Sequence, residues 1–148
     1  MLASARPGTF PPHLQGIWSE NIVPVWFAGY WLNLNEQMNY WPAETANLAE
    51  CHTALFALME RLVEPATRTA RVHYGARGWA VHLMTDVFGF TEPGYAPHGA
   101  WPMSGPWLCR HLWEHYLFSG DRDFLARRAW PLLRGAACFL LDFLVEAP

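Results

Sequence analysis

Trp31-Leu-Asn-Leu-Asn-Glu-Gln-Met-Asn-Tyr-Trp-Pro-Ala-Glu44 is the stretch around which the rest of the chain is organised. Its first half alternates apolar and polar residues, and in an extended backbone successive side chains point to opposite faces. Leu32 and Leu34 are therefore expected to be buried on one side, with the carboxamides of Asn33 and Asn35 side by side on the other. Pro42 then suits the opening of a helix through Ala43 and Glu44, because its fixed φ and missing N–H cost nothing at a helix start. Aromatic faces stack on the apolar side of a pyranose and fixed amides read its hydroxyls, so this cluster of Asn, Glu and Trp suits sugar binding. A polar turn leading into a helix accounts for the same pattern.

Composition narrows the classes. The chain has 148 residues, 52% of them hydrophobic and 16% charged, which suits one domain with a real core and excludes disorder. The net charge is −3 and all ten basic residues are Arg, with no basic stripe, so no nucleic-acid partner is expected. No apolar run reaches the length of a membrane span, and no charged-then-apolar leader is visible at the start. Cys51, Cys109 and Cys138 are odd in number and widely spaced, which points to buried thiols. Nine Trp are the outlier, and many sit among Gly and Pro, where they line clefts as readily as they pack.

Residues 2–30 read as a Trp-rich loop that packs against something outside it. Leu48, Cys51, Leu55, Leu58, Met59 and Leu62 recur at three- and four-residue steps, so a helix is expected from Ala43 to about Glu64, stopped by Pro65. A shorter helix from Ala66 to His73 ends at Gly75, a left-handed cap. Residues 76–100 are irregular. A third helix from Gly105 to Phe118 is apolar nearly all round and is expected to be covered on most sides. Asp121 caps a short helix through Ala129, and a last helix follows Pro131 to Val145. The class is all-α. Long loops gathered at one end of such a barrel would build the site, and no strand–helix alternation supports a Rossmann or TIM fold.

Among chemistries, a metal is disfavoured. Only His111 and His115 are spaced to share one, and His-Leu-Trp-Glu-His places its acid at the fourth position, unlike the zinc-protease motif. No phosphate loop or nucleophile elbow is present. Glu36, Glu44, Asp86 and Glu92 are the carboxylates in polar-aromatic settings. Trp41, Glu44, His82, Asp86 and Trp101 are the candidate substrate-binding residues. Inverting glycoside hydrolysis needs one acid for the leaving oxygen and an activated water on the other ring face. Two amide oxygens can aim such a water while a nearby carboxylate draws its proton.

Pro7-Gly-Thr, Leu14-Gln-Gly-Ile-Trp18, Leu32-Asn-Leu-Asn35, Met38-Asn-Tyr-Trp-Pro-Ala-Glu44, Tyr74-Gly-Ala-Arg-Gly-Trp79, Thr85-Asp86 and His111-Leu-Trp-Glu-His-Tyr116 together resemble glycoside hydrolase family 95 over essentially the whole chain. The resemblance implies part of an (α/α)6 barrel and an inverting exo-α-L-fucosidase acting on a fucosylated glycan, with no cofactor or metal. It also implies that Asn33 and Asn35 position the attacking water, and that the parent is secreted or periplasmic. An α-L-galactosidase, or a carbohydrate-binding or structural remnant without turnover, is the alternative. His13 stands where Asn is expected, and Leu83 and Met84 replace a more polar pair, which bears on sugar preference. The family's general-acid Glu and its assisting Asp are expected beyond Pro148. The chain is thus expected to be the N-terminal portion of the catalytic domain, beginning after a β-sandwich.

Overall fold

The computed structural model describes residues 1–94 and 97–146, and its frame is helical. Helix α1 spans Asn35–Tyr40, α2 His52–Tyr74, α3 Ser104–Ser119, α4 Arg122–Phe124 and α5 Trp130–Phe143. Two two-residue strands, β1 (Tyr30–Trp31) and β2 (Met84–Thr85), pair antiparallel with Tyr30 opposite Thr85 and Trp31 opposite Met84. Among the described residues the rest is 3-10 turns at Val25–Ala28 and Ala49–Cys51, a π-helical segment at Leu125–Ala129, and loop, which makes up most of the lead-in.

Helix α2 departs from the expected pair of helices. It begins at His52, after a 3-10 turn over Ala49–Cys51, and runs through Pro65 without a break. An interior proline removes one ladder bond and crowds the carbonyl four residues back, at a cost of about 3 kcal/mol. Burial on both sides of it offsets that cost. Leu58, Met59 and Leu62 precede it in the core, and Ala66, Thr69 and Ala70 follow, all 4% exposed or less. Gly75 closes the helix in the left-handed region (φ +62°), as its position after His73 and Tyr74 predicts.

The C-terminal helices also join. Asp121 caps α4, its Oδ1 accepting the Phe124 N–H at 2.9 Å. A π-helical segment over Leu125–Ala129 then carries the chain into α5 without leaving helical backbone, so Pro131 falls inside the first turn of a continuing run. That run ends at Phe143, short of the expected Val145.

Trp79 locks α3 to α5. Its side chain is 2% exposed and its Nε1–H donates to the Leu132 carbonyl at 3.0 Å. Gly105 of α3 meets one end of the indole and Gly135 of α5 the other, and a methyl built on either would lie 2.7 or 2.6 Å from a ring atom. Glycine at both positions lets the two helices close on a buried tryptophan. Leu55, Phe56 and Leu62 of α2, Leu108 and Leu112 of α3, and Leu132 and Ala136 of α5 fill the core around it.

The expectation that α3 is covered on most sides is corrected. Leu108, Cys109, His111 and Leu112 are buried, but Trp113, Leu117 and Phe118 are 46–61% exposed. Leu117 and Phe118 are open to solvent, while Trp113 borders a groove lined by Trp130, Leu133, Ala137 and Leu141 of α5. Cys51 and Cys109 are buried thiols, and Cys138 is half-buried. No helix of the described residues is long and apolar enough to cross a membrane.

Candidate active site

The Asn33/Asn35 segment is not an extended strand. Strand β1 ends at Trp31, residues 32–34 turn, and Asn35 is the first residue of α1. Leu32 is fully buried as expected, whereas Leu34 is 39% exposed. The turn has an identifiable cause. The Leu32 N–H donates to the Leu83 carbonyl at 2.8 Å, and the buried Gln37 side chain donates back to the Leu32 carbonyl at 2.6 Å. Gln37 can reach that carbonyl only if the backbone folds over, so the buried amide selects the turn over continued alternation.

The pair nonetheless comes together. Asn33 and Asn35 line one cavity of about 470 Å³ with Leu14, Trp26, Trp31, Leu83 and His98. A turn followed by a helix start brings residues two apart toward the same space, as an extended strand would. The Leu83 N–H to Gly99 carbonyl bond (3.4 Å) ties the loop carrying His98 to this region. Among the described residues the lining is mostly apolar and aromatic, with two amides and an imidazole as its polar groups and no carboxylate. It can hold and orient a polar ligand. Proton donation to a leaving group would need an acid from elsewhere.

Glu36, next to Asn35, faces inward. It is 1% exposed and its Oε1 has no hydrogen-bond partner among the described residues, nor has the buried hydroxyl of Tyr40 one turn on. Burial raises its pKa well above the carboxylate range, against a smaller lowering by the Asn39 side chain. The carboxyl is therefore held neutral more readily than a free one.

Glu44 lies in a different setting. Its Oε1 accepts Nδ1–H bonds from His52 (2.6 Å) and His115 (2.7 Å), and its side chain is only 6% exposed. His52 Nε2 meets His111 Nδ1 at 3.2 Å. Burial lowers the pKa of both, that of His111 to about 3, with the neighbouring His52 as the next cause there. Neutral rings satisfy every contact when His111 donates to His52, and His52 and His115 both donate to Glu44. The three side chains of Glu44, His52 and His115 form a metal-like set with ligand atoms within 4.8 Å. The N···O separations, however, are those of direct hydrogen bonds. A metal bonded at about 2.0–2.2 Å to each would hold its ligands further apart. The cluster fastens the segment after α1 to α2 and α3.

The other expected ligand-binding residues are dispersed. His82 is fully buried, with Nδ1 on the Thr91 carbonyl (2.8 Å) and Nε2 on the Tyr74 hydroxyl (2.5 Å). Asp86 Oδ1 accepts the N–H groups of Phe88 and Phe90 and shapes its own loop. Trp41 and Trp101 are 53% and 40% exposed. None of these, nor Glu44, lines the cavity that holds the asparagine pair. Conversely Trp26, Trp31, Leu83 and His98 line it. The abundance of loop tryptophans signalled the first two, and Leu83 stands out in the sequence as a departure from the family's pattern, but no local pattern marks His98.

All 148 residues match the glycosyl hydrolase family 95 catalytic domain. The chain is 45% identical over 148 residues to alpha-L-fucosidase 2 of Arabidopsis thaliana, covering 99% of this chain and 18% of that protein. It is 35% identical over 148 residues to a probable alpha-fucosidase A of Aspergillus niger, covering 98% of this chain and 19% of that one. A probable alpha-fucosidase A of Aspergillus oryzae is 35% identical over 119 residues, covering 78% of this chain and 16% of its own length. The chain thus spans less than a fifth of the length of these relatives, and it belongs to glycoside hydrolase family 95, within the family's catalytic domain.

Proposed function

We propose that this chain is the N-terminal portion, residues 1–148, of an (α/α)6 catalytic domain that hydrolyses terminal α-linked L-fucose with inversion. In this reading Asn33 and Asn35 hold the attacking water by their amide oxygens. The observation that carries it is the convergence of both residues on one aromatic-walled cavity. The relatives named as fucosidases support the sugar and the bond, and the packing of α2, α3 and α5 is compatible with one arc of such a barrel. The cavity lining lacks a carboxylate, so the acid that protonates the leaving oxygen is assigned to another part of the parent enzyme. Trp41, Glu44, His82, Asp86 and Trp101 lie outside the lining of this cavity, and Glu44 acts as an anchor through its bonds to His52 and His115.

The test is kinetic and uses the complete parent enzyme. Asn33→Ala and Asn35→Ala each remove one acceptor and let the water rotate. Loss of one oriented hydrogen bond in a transition state costs about 2.7–4 kcal/mol, so turnover should fall about 10²–10³-fold. KM should change far less, because the water lies opposite the leaving group. Proton NMR of the first product should show the anomer inverted from the substrate. Unchanged turnover in both variants would remove the role assigned to the pair.

A further inference from the structure

A segment beside the asparagine cavity is held in a backbone conformation that its residues disfavour. Trp26, Phe27 and Ala28 have φ of +53°, +60° and +48°, so three successive non-glycine residues lie in the left-handed region. Only glycine visits that region routinely, and other residues do so singly. Such a turn persists only where its surroundings over-determine it, and strained positions of this kind gather at ligand clamps. The surroundings here do so. Leu14 N–H donates to the Gly29 carbonyl at 3.2 Å and Gln15 Nε2 to the Val25 carbonyl at 3.2 Å. The Trp26 carbonyl accepts both the Gly29 N–H (3.2 Å) and the indole N–H of Trp31 (3.0 Å).

The outcome of all four bonds is the placement of one ring. Trp26 stands edge-on to Trp31, with centroids 5.4 Å apart and planes at 85°. Trp31 is buried at 8% exposure and supports from behind, while Trp26 remains 64% exposed and forms part of the wall that also holds Asn33 and Asn35. A large apolar ring held by a strained turn, left in water and set beside two amides gains nothing for the core.

We propose that Trp26 is a sugar-stacking residue of this cavity, and that the left-handed turn over residues 25–28 serves to present its indole to a pyranoside held by Asn33 and Asn35. The proposal rests on the glycosidase reading of the cavity and adds to it a specific contact. The ligand it suits is a galacto-configured sugar, whose C3, C4 and C5 hydrogens share one face and form an apolar patch of about the area of an indole. Leu14 and Leu83 in the same wall suit a methyl group at C6.

The experiment is a titration of the complete parent enzyme, ¹⁵N-labelled at its Trp and Asn side chains, with L-fucose, followed by NMR of the indole N–H and the Asn side-chain amides. The indole resonance of Trp26 should shift together with the amides of Asn33 and Asn35. Trp26→Ala should weaken the affinity about tenfold. Trp26→Phe keeps an aromatic face and tests against simple collapse of the turn, so it should recover most of the loss. Shifts of the Asn33 and Asn35 amides with a silent Trp26, and unchanged affinity in both variants, would overturn the proposal while leaving the sugar site in place. A titration that moves none of the three residues would overturn both.

Discussion

Gly135→Ala is the sharpest test of how this chain holds its helices together, because local propensity and packing predict opposite signs. Inside a helix the change should stabilise by about 1 kcal/mol, since alanine loses less backbone freedom than glycine. The added methyl, however, would lie 2.6 Å from Trp79 Cδ1 and 2.9 Å from Nε1, against ordinary contacts of about 3.5–4.0 Å. The indole cannot slide away. A methyl-width gap is already lacking at its far end, where Gly105 closes on Cζ3, and its N–H is committed to the Leu132 carbonyl at 3.0 Å. Overpacking of this kind costs about 1–3 kcal/mol. Stretching the Leu132 bond adds about 1 kcal/mol. Subtracting the propensity gain leaves a net loss of about 2 kcal/mol. Urea unfolding followed by far-UV circular dichroism would show it as a midpoint lower by about 1 M, for a slope of about 2 kcal/mol per molar. Gly120→Ala is the control: φ is +65° there with nothing within 4 Å, so it should show only the left-handed penalty of about 1 kcal/mol. A Gly135→Ala midpoint equal to or above that of the wild type would refute the clamp.

Two further predictions concern buried polar groups. Glu44→Ala leaves the Nδ1–H groups of His52 and His115 without an acceptor, the former at 1% side-chain exposure, and should destabilise by about 3 kcal/mol in the same urea assay; a loss below about 1 kcal/mol would count against the cluster as an anchor. The pH dependence follows from two groups of opposite sign. Glu36, raised by burial, stabilises below the ordinary carboxylate range and loses that contribution as pH rises through its folded pKa, so Glu36→Gln should gain on the wild type toward neutral pH. His111, lowered to about 3, binds its proton in the unfolded chain from about pH 6.5 downward but not in the folded one. In the Glu36→Gln background stability should therefore fall as pH drops, by about 2 kcal/mol from His111 alone between pH 6.5 and 5. A flat profile over that window would refute the burial assigned to His111.

Features set by a residue's own neighbours were legible in the chain. Gly75 and Asp121 mark a helix end and a helix start because their preferences act on adjacent backbone groups. The period of Leu55, Leu58, Met59 and Leu62 declares a helix face by itself. The asparagine pair is legible as a pair that shares one space, but its alternation points to a strand where the backbone turns into α1. Leu34 alternates like a buried residue, and only the Gln37 side chain reaching back to the Leu32 carbonyl turns the backbone. Pro65 punctuates a sequence, yet the core face that runs through it, from Leu58, Met59 and Leu62 to Ala66 and Ala70, is a tertiary gain that offsets the local cost. The remaining decisions belong to the assembled structure alone. Glu44 resembles a ligand-binding acid until His52 and His115, 8 and 71 positions away, take both hydrogen bonds to its Oε1. Gly105 and Gly135 carry no sign of their role until Trp79 is inserted between them. The physical reason is common to these cases: short-range preferences act within about a turn of chain, whereas desolvation and steric exclusion act between whatever surfaces folding brings into contact.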